Sequence, residues 1–274
     1  MIFYVIVVVY NQLISNTLIL KTNKNQNTHF IFADNSTKEE ILQLNKNFCN
    51  NNDILYLSMN GNKGLPKAYN EAIKNVPKEM HNWIVICDQD TELEVNFLDT
   101  YQKAINNNPQ KLIFCPVIKD SKGIMSPSKI KGKKFVHSKL KNYNEQIQNY
   151  SFINSCMCIN STVFNSVQYD ENLFLDCVDH DFVKMVHEKF NNEIFYVIYD
   201  IEIFQNFSGV TKNSFSADFN RFRIYKKDLQ YFNTKWYGKK SIANKILFSR
   251  AIKLSIQHKK FDFIKVFLLN VNTI

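Results

Sequence analysis

Residues 83–93 read WIVICDQDTEL. Trp83 to Cys87 is an unbroken run of apolar side chains, mostly β-branched, so neither face of an extended chain would carry a polar group. That is the pattern of a strand buried on both sides. The run ends in two acids one residue apart, Asp88 and Asp90, followed by Thr91 and Glu92. The tripeptide DQD is either a polar turn after a strand or a pair of carboxylates aimed at a cation. Alone it does not separate these readings; its place among the neighbouring segments bears on the choice.

Working outward, similar runs occur at Ile2 to Val9, Phe30 to Ala33, Ile54 to Leu57 and Leu112 to Val117. Between them lie segments long enough for crossover helices: Asn11 to Lys24, Thr37 to Phe48, Pro66 to Asn75 and Val95 to Asn106. Ser36 or Thr37 can cap the second of these, with Glu39 and Glu40 in its first turn, and Pro66 suits the first turn of the third. Strand and helix alternating four times predict an α/β fold with a mostly parallel central sheet flanked by helices. Ligands of such sheets bind beyond the carboxyl ends of the strands, which is where DQD falls.

The second half is less regular. Lys119 to Tyr150, including SKIKGKKFVHSKLKNYNEQ, reads as a solvated basic loop or a flap that helps neutralise phosphates. Order resumes at Phe152 to Asn160. In ENLFLDCVDHDFVKMVHEKF, Phe174, Val178, Phe182 and Met185 recur at helical spacing, and Ile194 to Ile203 reads as a strand. Residues 231–274 form a basic helical tail after a domain spanning 1–230. In it Ala243, Leu247, Ala251 and Leu254 make an apolar stripe, while Lys245, Arg250, Lys253, Lys259 and Lys260 occupy other faces. Such a tail either packs on its own domain or lies on an anionic membrane leaflet.

Composition bounds the function classes. The 274 residues are 45% hydrophobic, which excludes a disordered chain, and 34 Lys and Arg against 25 Asp and Glu give a net charge of +9. That balance favours an anionic partner, yet no helix-turn-helix, RNA-recognition or zinc signature supports nucleic acid. The apolar start, MIFYVIVVVY, meets Asn11 and Gln12 after about ten residues, too short for a span of roughly 20. Six scattered cysteines without a secretory signal predict reduced core thiols in the cytosol, and Cys156-Met-Cys158 has the wrong spacing for a zinc knuckle. GNKGLPKAYN is neither a Walker loop nor the GxGxxG fingerprint, which argues against a NAD enzyme.

Five segments stand in one order: VVVYN (7–11), FADNST (32–37), GNKGLPKAYNEAI (61–73), ICDQDTEL (86–93) and LFLDCVDHDF (173–182). The series resembles the family 2 glycosyltransferases of the GT-A fold. With SFINSCMCINSTVF (151–164), it looks most like the bacterial rhamnosyltransferases that build cell-surface polysaccharides. The resemblance implies an inverting, metal-dependent enzyme. It would move a sugar, L-rhamnose from dTDP-rhamnose or a hexose or N-acetylhexosamine from a UDP donor, to a lipid-linked or growing glycan. It would work at the inner face of the plasma membrane, where the basic tail, if it does not pack on its own domain, would make peripheral contact. A non-catalytic partner subunit is the other reading.

Residue by residue, the resemblance assigns Asp90 to a Mg²⁺ or Mn²⁺ ion and Asp88 to the ribose or a metal-bound water. Tyr10 would lie against the base, and Asp34 would accept a hydrogen bond from the pyrimidine N3–H. Otherwise Tyr10 covers the sheet end, and Asp34 makes an Asx turn with Ser36 or Thr37. Asn62, Lys63 and Gly64 would approach the ribose and phosphates, with Asn70 bracing that loop. Asp179 would be the base that takes the acceptor proton, with Asp176 one helical turn before it on the site face; helix capping is the other role open to Asp179. The chain departs from the family pattern at Val178, where many members have Glu, and at Met185, where an Arg usually stands. IFQNFSG offers Gln205 or Asn206 in place of a histidine. Lys63, Lys67 and Lys129 to Lys134 are cations that could compensate.

Overall fold

The computed structural model describes residues 1–21, 27–94, 96–121, 123–131, 134–138, 143–190, 192–204 and 213–269. It divides into two compact units. The first comprises Met1–Tyr169 and Asp179–Asn206, the second Asp170–Val178 and Phe207–Ile274.

The first unit is built on β1 (Ile2–Val9), β2 (Thr28–Asp34), β3 (Leu55–Ser58) and β4 (Asn82–Asp88), all parallel in the order β3-β2-β1-β4. Val5 to Val9 are buried on both faces of the sheet, as the continuous apolar run demands. The helices α1 (Glu39–Asn51), α2 (Leu65–Lys74) and α3 (Phe97–Asn107) supply the crossovers, α2 packing on β1 and β2. Beyond β4 the sheet turns antiparallel: β9 (Met157–Asn160) lies between β4 and β5 (Ile113–Asp120). Strand β10 (Phe195–Phe204) runs parallel to β5. The strand order steps from β1 to β2 and β3 on one side, then to β4 on the other. The crevice of such a sheet therefore opens at the carboxyl ends of β1 and β4.

Three expectations are corrected. Asn11 to Lys24 does not form a helix in its described part; Ile14–Asn16 and Leu18–Lys21 are short 3₁₀ turns. The Asn45 side chain takes the Ile14 amide and the Gln12 carbonyl (2.8 and 3.0 Å), and the Thr17 hydroxyl takes the Ile14 carbonyl (2.7 Å), so side chains compete for the groups a helix would use. Neither Ser36 nor Thr37 caps α1, which begins after Lys38 with no side-chain cap. The basic stretch after Lys119 is not simply a loop, because β6 (Gly123–Lys131) and β7 (Lys134–Ser138) form a hairpin that adds to the sheet, joined by β8 (Tyr150–Ser151). Lysine on an edge strand blocks further pairing, and the same composition reads as loop when only the sequence is in view.

The second unit is helical: α5 (Phe215–Tyr237), α6 (Ser241–His258) and α7 (Asp262–Leu268) bury Phe222, Leu229, Ala243, Leu247, Ala251 and Phe263 together. Ser214 caps α5 by accepting the Ala217 amide, and Gly238, at φ +63°, ends it in a left-handed turn. Residues 170–178 run against α5. The buried Asp228 carboxylate accepts the amides of Phe174, Leu175 and Asp176 at 2.8–3.1 Å. Asp170 accepts from Tyr231 Oη at 2.8 Å and Lys235 Nζ at 2.7 Å.

Burial opposes ionisation of Asp170, but the hydrogen bonds from Lys235, the Asn172 amide and Tyr231 outweigh it and take the carboxyl from its ordinary 3.8 to about 2. A carboxyl held lower in the folded than in the unfolded chain stabilises the fold above its unfolded value and ceases to do so as pH falls through its folded value. Between pH 4 and 2 the protein should lose about 1 kcal/mol from this residue after solvent screening is allowed for. Urea unfolding across that range should show a shallower acid limb for Asp170→Asn than for the wild type; parallel limbs would contradict the assignment.

Candidate active site

The carboxyl ends of β2, β1 and β4 lie side by side, with Val9 opposite Asp34 and Val8 opposite Asp88. Side chains lace them together. Gln89, the residue between the two acids, accepts the Tyr10 amide through Oε1 at 2.8 Å, joining the end of β1 to the DQD turn. Ser36 Oγ accepts the Asn11 amide at 2.8 Å and Asn11 Oδ1 accepts the Thr37 amide at 3.0 Å, joining β1 to β2. Asn35 holds the glycine-containing loop, accepting from Lys63 N at 3.1 Å and donating to the Gly64 carbonyl at 3.2 Å. Gly64 has φ +86° and ψ 167°, a conformation open in practice to glycine alone, and it leads directly into α2 with Pro66 in the first turn.

On this frame the predicted residues separate. Tyr10 is 46% exposed at the end of β1, its ring open to solvent. Asp90 is exposed in the turn after β4, and among the described residues its carboxylate has no hydrogen-bond or ion-pair partner. Asp88 is half-buried; its amide donates to Thr91 Oγ1 at 3.2 Å, and that hydroxyl lies 3.4 Å from Ser155 Oγ, so the turn is braced from beneath. Asn62 and Lys63 are exposed, Asn62 turning its Oδ1 to the Gly64 amide at 3.1 Å.

Asp34 is 0% exposed, and the Asx turn that its sequence allowed is formed: Oδ1 accepts the Ser36 amide, while Oδ2 accepts from Asn45 at 2.8 Å and Tyr56 at 3.1 Å. It presents no oxygen to solvent in this arrangement. Asn70, expected to brace the loop, makes a reciprocal pair with the Tyr169 backbone at 2.9 and 3.0 Å.

Asp179 lies in the first turn of α4 (Val178–Lys189) and accepts the His180 amide at 2.8 Å. The helix starts at Val178, so Asp176 precedes it and is not part of a helical turn with Asp179. Asp176 belongs to the second unit, where the Arg221 guanidinium grips both its oxygens, one at 2.6 Å. Met185 lines a shallow surface depression with Val167, Gln168 and Glu188. Gln205 and Asn206 lie outside the described residues.

One buried side chain ties the two acid motifs together. Burial pushes the Tyr69 hydroxyl well above its ordinary value, and the charges of Asp88 and Asp179 both push it further. Burial does the same to Tyr169, again with Asp179 adding. These rings pack at 5.0 Å, and Tyr169 stacks on Phe182 of α4 at 4.5 Å. Through this stack the pair packs on α4, and the charge of Asp88 at the end of β4 reaches its Tyr69 member. Tyr69 and Tyr169 were not singled out in the sequence because a lone aromatic residue reads as core, which both also are.

Metal fit can be judged from the donors. Among the described residues no group of three or more His, Cys, Asp or Glu side chains is gathered for a metal ion. What the turn offers is two carboxylates, one of them exposed and unpaired, which suits a hard cation that keeps open positions for phosphate oxygens. The thiols do not suit a metal, since burial pushes Cys156 and Cys158 well above the ordinary value, and none of the six cysteines is in a disulfide.

The profile of the family described as glycosyl transferase family 2 matches residues 4–174, more than half of the chain. The chain belongs to glycosyl transferase family 2. No curated protein sequence matches it. Solved structures of similar fold include a fragment of S. aureus TarS, 17% identical, covering 99% of this chain and 76% of that one at a TM-score of 0.54. The same TarS fragment in complex with UDP is 15% identical, covering 84% and 65% at 0.52. GalNAc-T7 with UDP, GalNAc and Mn²⁺ is 14% identical, covering 97% and 57% at 0.58. The Pyrobaculum calidifontis mannosyltransferase PcManGT with GDP-Man and Mn²⁺ is 12% identical, covering 97% and 73% at 0.56. At these identities the likeness establishes the GT-A-type fold, and between 24% and 43% of each of these neighbouring chains has no counterpart in this glycosyltransferase.

Proposed function

We propose that this family 2 glycosyltransferase is an inverting, metal-dependent enzyme that moves a hexosyl group from a nucleoside diphosphate donor to a lipid-linked or growing glycan. L-Rhamnose from dTDP-rhamnose is the donor to test first. The observation that carries the reading is that Asp88 at the end of β4 and Asp179 at the start of α4 both act on one buried tyrosine, Tyr69, while Asp90, two residues after Asp88, is exposed and has no partner among the described residues. Tyr10 offers an aromatic face for the base, and the loop of Asn62, Lys63 and Gly64 offers amides and a cation to the ribose and phosphates. Asp34 acts from below, holding β2 and α1 in place, because its own oxygens are taken.

A divalent cation on Asp90, with Asp88 beside it, would supply stabilisation for the charge that builds on the departing diphosphate. Asp179 takes the proton of the acceptor hydroxyl as that oxygen bonds to the anomeric carbon, and the carbon–oxygen bond to the diphosphate breaks with its electron pair leaving on phosphate. The Mn²⁺ in the GalNAc-T7 and PcManGT complexes supports the metal. A UDP-hexose or UDP-N-acetylhexosamine donor is the second reading, favoured by the UDP in the TarS and GalNAc-T7 complexes. Incubation with dTDP-rhamnose and a panel of UDP- and GDP-sugars, with Mn²⁺ or Mg²⁺, should show one donor turned over. Folded protein that binds and hydrolyses none of them would overturn the proposal. Nucleotide binding without turnover, together with co-purification of an active transferase, would instead favour a partner subunit.

A further inference from the structure

The apolar stripe that made the tail look membrane-seeking is not available to a membrane. Ala243, Leu247, Ala251 and Leu254 are buried in the helical unit's own core. A different face of α6 is open. Phe248, Ile252 and Ile256 follow one another at four-residue spacing, so they form a single ridge along the helix. Their exposures are 45%, 36% and 73%. The end of α7 extends this ridge: Phe267 packs on Phe248 at 5.4 Å, and the adjoining Leu268 and Leu269 are 71% and 59% exposed. They are held there from within, because the buried Lys226 of α5 donates to the carbonyls of Val266 and Leu269 at 2.6 and 2.9 Å and so caps α7.

The charge around the ridge is predominantly positive. Residues 241–269 contain six Lys and Arg against one acid, Asp262. Arg250 lies over Tyr225 and Lys260 over Phe215, so those two cations serve the unit's own aromatics. Lys245 and Lys253 of α6, with Lys259 at its end and Lys265 of α7, remain exposed, and among the described residues none of them has an acidic partner. Long cationic side chains beside an aliphatic and aromatic ridge match the boundary between anionic headgroups and acyl chains, where the stem lies in the apolar layer and the ammonium reaches phosphate. No helix among the described residues is long and apolar enough to cross a membrane, so contact through this unit would be lateral.

We propose that the face of α6 carrying Phe248, Ile252 and Ile256, with the end of α7, docks flat on an anionic lipid surface. The inference rests on the proposed lipid-linked acceptor for its purpose only; its residues belong to the helical unit and not to the transfer site.

The test is co-sedimentation of the full chain with vesicles of phosphatidylcholine alone and of phosphatidylcholine mixed with phosphatidylglycerol. Binding is expected only to the mixed vesicles and should weaken with salt. Ile252→Ser with Ile256→Ser should lower the partition coefficient at least about tenfold, because both side chains would enter the acyl boundary. Lys245→Gln with Lys253→Gln should lower it by about thirtyfold, roughly fivefold for each charge removed. Thermal melting should be unchanged in both variants, since all four side chains are exposed. The proposal is overturned if the wild type does not sediment with anionic vesicles, or if the Ile252 and Ile256 variant sediments equally well. It is also overturned if ultracentrifugation without lipid shows a dimer that the same variant dissociates, which would assign the ridge to a second copy of the chain. Donor turnover is measured separately, so lipid binding without any turnover would remove the enzymatic reading and leave this one standing.

Discussion

Asp179→Asn should leave metal-dependent donor binding at the wild-type level and slow sugar transfer by about a thousandfold, within the span of general-base contributions. The substitution is chosen for what it keeps. Asn has the shape of Asp and its carbonyl oxygen can still accept the His180 amide that Asp179 accepts at 2.8 Å, so the first turn of α4 remains closed. It removes the negative charge and the ability to take a proton. The competing role, a favourable charge at a helix N-terminus, is worth about 0.3–1 kcal/mol, which would appear as a small fall in melting temperature and no change in chemistry. Donor affinity by calorimetry and single-turnover transfer rates separate the two. A variant that transfers at the wild-type rate but melts lower would reduce Asp179 to a helix cap.

Asp90→Asn should act on the other half of the reaction. Donor affinity in the presence of Mn²⁺ should fall by on the order of a hundredfold, to the level that the wild type shows in a chelator. Asp90 is exposed and, among the described residues, has no partner in the fold, so the melting temperature should not move. Asp88→Asn is the informative comparison. That side chain is half-buried at the end of β4, and its charge reaches the buried Tyr69, so a change there perturbs the frame as well as the ligand. If donor affinity proves indifferent both to chelation and to Asp90→Asn, the DQD turn is not a metal clamp. If both acid variants, at 90 and at 179, lose binding and transfer equally, the division of roles between them fails.

Much of the first unit was legible because local patterns and tertiary packing agree there. Strand β1 occupies the predicted residues 2–9, and β2 to β5 fall within a few residues of their apolar runs, since a parallel strand buried on both faces has little choice of composition. The helix expected after β1 failed for the opposite reason: Asn45, far along the chain, pins this segment by its Gln12 carbonyl, which a helix would use, and its Ile14 amide. The hairpin of β6 and β7 was hidden because the lysines around its turn, Lys129, Lys131 and Lys134, give the segment the composition of a loop. The open face of α6 was hidden behind a better periodic stripe, which proved to be core.

The sequence by itself determined the parallel half of the sheet, the order of the motifs on it and the location of DQD at a strand end. These follow from side-chain periodicity and chain order, which are local and additive. Only the tertiary structure decided which acids are available to a ligand. Asp34, Asp90 and Asp176 are the same residue type in similar polar contexts, yet one is sealed under Asn45 and Tyr56, one is open, and one is held in the fork of Arg221. A carboxylate's chemistry depends on its burial and on the donors that reach it. Those donors come from residues 11, 22 and 45 positions away in the chain, a distance at which no sequence pattern operates.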